Sequence, residues 1–156
     1  EPDYLEGFRE IFEEKIVFNQ TLGLKLTHIE PGRVQARIDM RHELVGHFAY
    51  NRVHGGVISA ALDAIGSAAV MAAAAAKHMD EAPAKRLERF AKLGTIDLRV
   101  DYLRPSPKGA KVFGRGYCYH LSHSIGFVRG IAHNGNLEEP LAHVSGTFIR
   151  VGDRLG

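Results

Sequence analysis

The chain has 156 residues, 45% of them apolar and 24% charged, with a formal net charge of +2. That length suits one domain, residues 1–156, able to bury roughly two thirds of its unfolded surface without disulfides or metals. The basic residues are scattered rather than run together, which argues against nucleic acid as a partner but leaves room for a small phosphorylated ligand held by a few arginines.

From Tyr4 to Phe18, the residues Leu5, Phe8, Ile11, Phe12 and Ile16 recur at helical spacing, so an amphipathic helix within residues 1–20 is expected to lie on something larger. With no basic-then-apolar stretch there, a cytoplasmic setting is expected. Leu24 to Glu30 reads as a short strand, and Glu30-Pro31-Gly32-Arg33 as a turn. Val34, Ala36, Ile38 and Met40 then alternate with polar residues, as in a strand with one wet face. After a loop from about His42 to Val53, the run from Val57 to Ala76 is almost wholly apolar and rich in alanine. It is too long for a strand and apolar on every side, so a buried helix is expected over residues 54–77. A membrane span is disfavoured, because Asp63 would lie inside the bilayer and most residues are small. Small side chains suit a helix gripped by a curved sheet.

Residues 77–93 are strongly charged, with a break at Asp80-Glu81-Ala82-Pro83. They read as a solvated connector with a short exposed helix over Lys85 to Lys92, or else as a mobile cover over a site. Residues 94–151 read as sheet. Ile96, Leu98, Val100 and Tyr102 alternate with Thr95, Asp97, Arg99 and Asp101, and further strands run near Lys111 to Leu121, Ile125 to His133 and Leu141 to Val151. The single cysteine, Cys118, excludes an intramolecular disulfide and reads as a small packed residue. The order gives an α+β fold, one long helix packed on an antiparallel sheet.

One carboxylate stands in the middle of the apolar helix. Asp63 is flanked by Ala60, Ala61, Leu62, Ala64 and Ile65, so it needs a hydrogen-bond partner, a change of protonation, or both. Upstream, His54-Gly55-Gly56 opens the helix. The N–H groups of a first turn have no partner inside the helix and point outward with the positive end of its dipole. They suit a carbonyl oxygen that is gaining negative charge. Asp63 lies roughly 10–12 Å further along the axis at 1.5 Å per residue. One helix cannot easily aim both groups at one carbonyl, whereas two chains can.

The stretch from Val53 to Asp63 resembles the His-Gly-Gly motif of hotdog-fold thioesterases. It is closest to the subgroup that includes the phenylacetate-pathway enzymes, in which a carboxylate follows the histidine by nine positions. The run from Thr95 to Pro105, ending in Leu103-Arg104-Pro105, resembles that family's next strand. The resemblance covers about Leu22 to Val151. It implies a hotdog fold, a long central helix wrapped by a curved antiparallel sheet, self-association as a dimer or tetramer, and hydrolysis of acyl-CoA. CoA would be part of the substrate, with no cofactor. It further implies that the Gly55 N–H polarises the thioester carbonyl, that His54 and Gly56 shape the turn, and that Asp63 acts as general base or nucleophile. Thr95 matches a hydroxyl residue that helps position water. Many relatives carry an asparagine or glutamine six residues before the histidine; here that position is Phe48, so His47 or Asn51 is the candidate to substitute, and Asn51 is also a candidate helix cap.

Nine histidines are dispersed without metal-ligand spacing, so no metal is expected. Arg99, Arg104, Arg129 and Arg150 are candidates for CoA phosphates. Gly126 and Gly130 either admit a pantetheine arm or mark a bulge. Two other functions remain open on this fold. One is a hydroxyacyl or enoyl thioester dehydratase-hydratase, suggested by Gly46-His47-Phe48 but weakened by Ala49 where a proline is expected. The other is a noncatalytic acyl-CoA-binding module.

Overall fold

The computed structural model describes residues 2–150; Glu1 and Val151, the outermost residues of the expected first helix and last strand, lie outside the described residues, as do residues 152–156. The N-terminal segment is helical but not one helix. α1 (Pro2–Glu10) runs into a single π-helical turn, Ile11–Lys15, and the chain breaks at Ile16 before α2 (Val17–Leu22). The wider turn shifts the helical register, so Tyr4, Phe8 and Phe12 are buried while Ile16, expected on the same face, is exposed together with Val17 and Phe18. Asn19 Nδ2 donates to the Phe12 carbonyl at 3.1 Å, satisfying a group near the break.

Six strands form one antiparallel sheet: β1 (Leu24–Glu30), β2 (Arg33–Ile38), β5 (Leu93–Tyr102), β6 (Val112–Leu121), β7 (Ile125–His133) and β8 (Ala142–Arg150), in the spatial order β1-β2-β6-β7-β8-β5. Between β2 and β5 lie the small hairpin β3 (Val45–His47) and β4 (Arg52–Val53), the helix α3 (Gly55–Ala76) and the short helix α4 (Pro83–Glu88). This is the expected α+β architecture, with α3 running from just after His54 to just before Lys77.

By length and composition α3 could cross a membrane, with a mean hydropathy of 1.8. Its apolar surface, however, is taken up by the sheet, where Ile65, Ala68, Ala69 and Val70 are sealed from water. The strands that receive it lack side chains at the contact. A Cβ on Gly114 or Gly116 would lie 2.3 or 2.7 Å from Ile65, and one on Gly126 would lie 2.6 Å from Val70. Glycine in the sheet and alanine in the helix thus let the backbones approach closely. Gly126 admits the helix rather than a substrate arm, and Gly130 is crowded by the Arg115 carbonyl and Val144 within the sheet. Cys118 is buried on this inner side, and burial pushes its thiol above the ordinary range, which keeps it an inert packed residue.

Most described residues of 77–93 are exposed or half-buried, as in a connector, but Arg86 and Arg89 are buried and anchor the segment. Arg86, 2% exposed, lies over the Tyr4 ring at 4.7 Å, and α4 packs on α1 beside the C-terminal end of α3. This places the segment at the opposite end of α3 from His54, so it does not cover the helix start. Pro83 opens α4 at a first-turn position, where its missing N–H costs nothing. Arg89 grips Glu81 with two bonds of 2.6 Å, and this hydrogen bonding holds the Glu81 carboxyl down to about 2. A folded-state value below the unfolded one contributes stability above the unfolded value, lost as pH falls through the folded value. The melting-temperature gap between wild type and Glu81→Gln is therefore expected to be constant above about pH 5 and to close as pH approaches 2.

The two sheet edges differ. β1 is covered by the N-terminal helices: the Leu26 N–H donates to Glu13 Oε2 at 3.0 Å, and Arg9 donates to the Leu26 carbonyl. β5 is ten residues long, has no strand on its outer side among the described residues, and leaves Ile96 49% and Tyr102 53% exposed. Long open edges of this kind are templates for pairing with another chain.

Candidate active site

His54 stands in extended backbone (φ −64°, ψ 137°) and caps α3 with its own side chain, Nδ1 accepting the Gly56 N–H at 2.7 Å. The cap is therefore His54, not Asn51. Asn51 sits in the left-handed region (φ 50°) within the hairpin turn, and its carbonyl accepts the Gly109 N–H at 3.3 Å. With Gly56 satisfied by the cap, the Gly55 N–H is left without an acceptor among the described residues. It points outward with the positive end of a 22-residue helix behind it.

The other end of the Gly55–Gly56 peptide is held as well. Tyr102, near the end of β5, donates its phenol to the Gly55 carbonyl at 2.7 Å. Sequence reasoning read Tyr102 only as one residue of an alternating strand and missed this contact, which joins residues 47 apart. Tyr102→Phe is expected to lower turnover by several-fold, as the loss of one net hydrogen bond of about 1 kcal/mol would do, with little change in KM; steady-state kinetics on both enzymes check it.

Asp63 lies further along α3, facing β5. Its environment is less enclosed than the surrounding alanines suggest: the side chain is half-buried, because the sheet ends at β5 and water reaches this side of the helix. Thr95 Oγ1 donates to Asp63 Oδ1 at 2.8 Å. Oδ2 takes no protein donor among the described residues and so is available to water. A β-bulge sets this contact, because the β5–β8 register shifts between Thr95 and Asp97. Asp97 Oδ1 pins the bulge by accepting both the backbone N–H (3.1 Å) and the hydroxyl (2.9 Å) of Thr147. Bulges commonly re-aim a side chain in this way.

The remaining candidates lie on the hairpin beside the helix start and just past the end of β5. Gly46 packs so closely on His54 that a Cβ would lie 2.6 Å from the His54 Cα, which fixes the β3–β4 hairpin against the first turn. The hairpin carries His47, with its ring 4.8 Å from that of Tyr50, and Phe48, 89% exposed. Arg104 follows Tyr102 by two residues and is exposed. Of the other arginines considered for phosphates, Arg99 is paired with Asp101 at 3.2 Å and Arg150 is buried. Eight residues of helix separate Gly55 from Asp63, about 12 Å at 1.5 Å per residue, so within one chain the free donor and the free carboxylate oxygen do not converge.

Residues 50–141 match the family model described as the thioesterase superfamily. The medium/long-chain acyl-CoA thioesterase YigI of Escherichia coli K12 is 31% identical over 138 residues, covering 88% of this chain and 86% of that protein. Among solved structures, a Shewanella oneidensis protein related to the thioesterase superfamily superposes with a TM-score of 0.84 at 30% identity, covering 96% of both chains. Mouse thioesterase superfamily member 2 shares the fold, with a TM-score of 0.70 at 15% identity over 97% of this chain and 96% of that one.

Proposed function

This chain belongs to the thioesterase superfamily and is a thioester hydrolase, and from that premise we propose that it cleaves medium- and long-chain acyl-CoA at a site shared between two copies of the chain. One observation carries the reading. The Gly55 N–H and Asp63 Oδ2 are each held ready by their neighbours, on one helix, too far apart to serve one carbonyl within a chain. A second chain pairing along the open β5 edge would bring its α3 start toward Asp63 of the first, since Asp63, Thr95 and Tyr102 all lie on or beside that edge.

In the completed site the thioester oxygen accepts the Gly55 N–H at the positive end of α3, and His54 and Gly56 hold the turn. Asp63 takes a proton from water, Thr95 keeps the carboxylate aimed, and the water oxygen bonds to the carbonyl carbon. The tetrahedral intermediate collapses with loss of the CoA thiolate, which receives a proton from Asp63; free acid and CoA leave. No resident cofactor is required. His47, Phe48 and Asn51 on the hairpin beside the helix start, together with Arg104, contact the substrate in this reading, with exposed Phe48 suited to the acyl chain.

The aliphatic preference is taken from the YigI relatives, whereas the resemblance of the motif to phenylacetate-pathway enzymes favours aromatic acyl groups. Thiol release from aliphatic and aromatic acyl-CoAs decides between them. Highest turnover is expected with medium and long chains; absence of thiol release from every acyl-CoA would sink the proposal. A single turnover in oxygen-labelled water tests the role of Asp63, since label recovered in the Asp63 carboxylate is the signature of a nucleophile, whereas a general base sends the label only into the product acid.

A further inference from the structure

The outer face of the sheet, turned away from α3, carries a cavity of about 680 Å³ that the hydrolytic chemistry above does not use. Two neighbouring cross-strand rows build it. Arg33 of β2, Tyr117 of β6 and Arg129 of β7 stand side by side in the first row; Arg115 of β6, His143 of β8 and Asp101 of β5 lie in the second. With strands about 4.8 Å apart and diagonal neighbours about 7–8 Å apart, this register puts three arginines next to Tyr117 on one face.

Those cations are held in place rather than neutralised. Arg33 lies over the Tyr117 ring at 4.8 Å and Arg129 over the Tyr119 ring at 5.0 Å. Stacking occupies their faces and leaves their N–H edges free to donate. Of the carboxylates at the rim, Asp101 is paired with Arg99 at 3.2 Å, and Glu30 has the His28 ring, a neutral group unless protonated, as its neighbour at 3.2 Å. Among the described residues, none of Arg33, Arg115 and Arg129 has a carboxylate at ion-pair distance. The unbalanced charge is felt nearby: His133 is held below its ordinary range by burial first and by Arg115 second. Like charges so close on a sheet face are unfavourable without a counter-ion. A fork of guanidinium N–H groups matches phosphate oxygens bidentately.

We propose that this cavity binds a small molecule carrying two or more phosphate groups. Two sources share that chemistry: a free nucleoside diphosphate, and the phosphorylated end of CoA itself. Only the second rests on the hydrolytic reading.

The test uses the whole protein and two probes, ADP and CoA, titrated calorimetrically against wild type, an Arg115→Gln/Arg129→Gln double variant and a Lys111→Gln control, with melting temperatures confirming that all three are folded. At least one probe is expected to bind wild type and Lys111→Gln alike and to bind the double variant at least about tenfold more weakly, because hydrogen bonds to charged groups carry that much per donor group. A raised KM for acyl-CoA in the double variant, with kcat and the KM for acyl-pantetheine unchanged, assigns the site to the substrate's nucleotide end. Binding of ADP with unchanged KM assigns it to a separate nucleotide. Binding of ADP by a protein that releases no thiol from any acyl-CoA supports this site while removing the hydrolytic reading. The proposal is overturned if neither probe binds, as when a second copy covers the face, if the double variant binds as wild type does, or if Lys111→Gln weakens binding as much.

Discussion

Asparagine at position 63 is expected to lower thioester turnover by at least about a hundredfold, the size of effect that loss of an acid–base group produces. The substitution is chosen because it preserves the local structure. An amide oxygen still accepts the Thr95 hydroxyl, the bond that holds Asp63 at 2.8 Å, and the side-chain volume is nearly the same. The amide nitrogen that replaces Oδ2 cannot accept a proton from water. Melting temperature and oligomeric state should match wild type, so the loss would fall on chemistry alone. Wild-type turnover in Asp63→Asn would mean that the carboxylate serves only to bind Thr95 and that the hydrolytic base lies elsewhere.

Proline at position 55 is expected to cost about 10²- to 10³-fold in kcat, the effect of deleting one oxyanion donor, while leaving α3 intact. The first helical position tolerates proline because its N–H has no intrahelical partner. His54, at φ −64° and ψ 137°, already has the conformation favoured before proline. The added Cβ would lie 3.3 Å from the Tyr102 ring, and proline's Cδ takes the place of the lost N–H hydrogen. Gly55→Ala adds the same Cβ but keeps the donor, so it should retain most of the activity; a loss as deep as in the proline variant would assign the effect to crowding of Tyr102.

The two variants also test the shared site. In a dimer assembled from equal amounts of Asp63→Asn and Gly55→Pro chains, half of the molecules are mixed and each mixed dimer holds one intact donor–carboxylate pair. Activity should recover to about one quarter of wild type. If no activity returns although mixed dimers form, both groups act within one chain and the separation along α3 must be bridged in another way.

What could be read from sequence here was set by local physics and by one motif. An uninterrupted alanine-rich apolar run has few ways to satisfy its backbone other than a buried helix, so α3 was placed to within a residue at each end. Alternation of apolar and polar residues marked β2, β5 and β6–β8. The His54-Gly55-Gly56 opening with Asp63 nine positions on pointed to thioester chemistry through family resemblance. Tertiary structure alone decided the rest. The break at Ile16 depends on a π turn that no spacing rule signals, and nothing local marks Arg86 as the residue that anchors α4 over Tyr4. The Tyr102–Gly55 bond, the bulge that turns Thr95 toward Asp63, and the cluster of Arg33, Arg115 and Arg129 all depend on strand register. Register is a property of two strands together, and a shift of one residue would send each of these side chains to the opposite face.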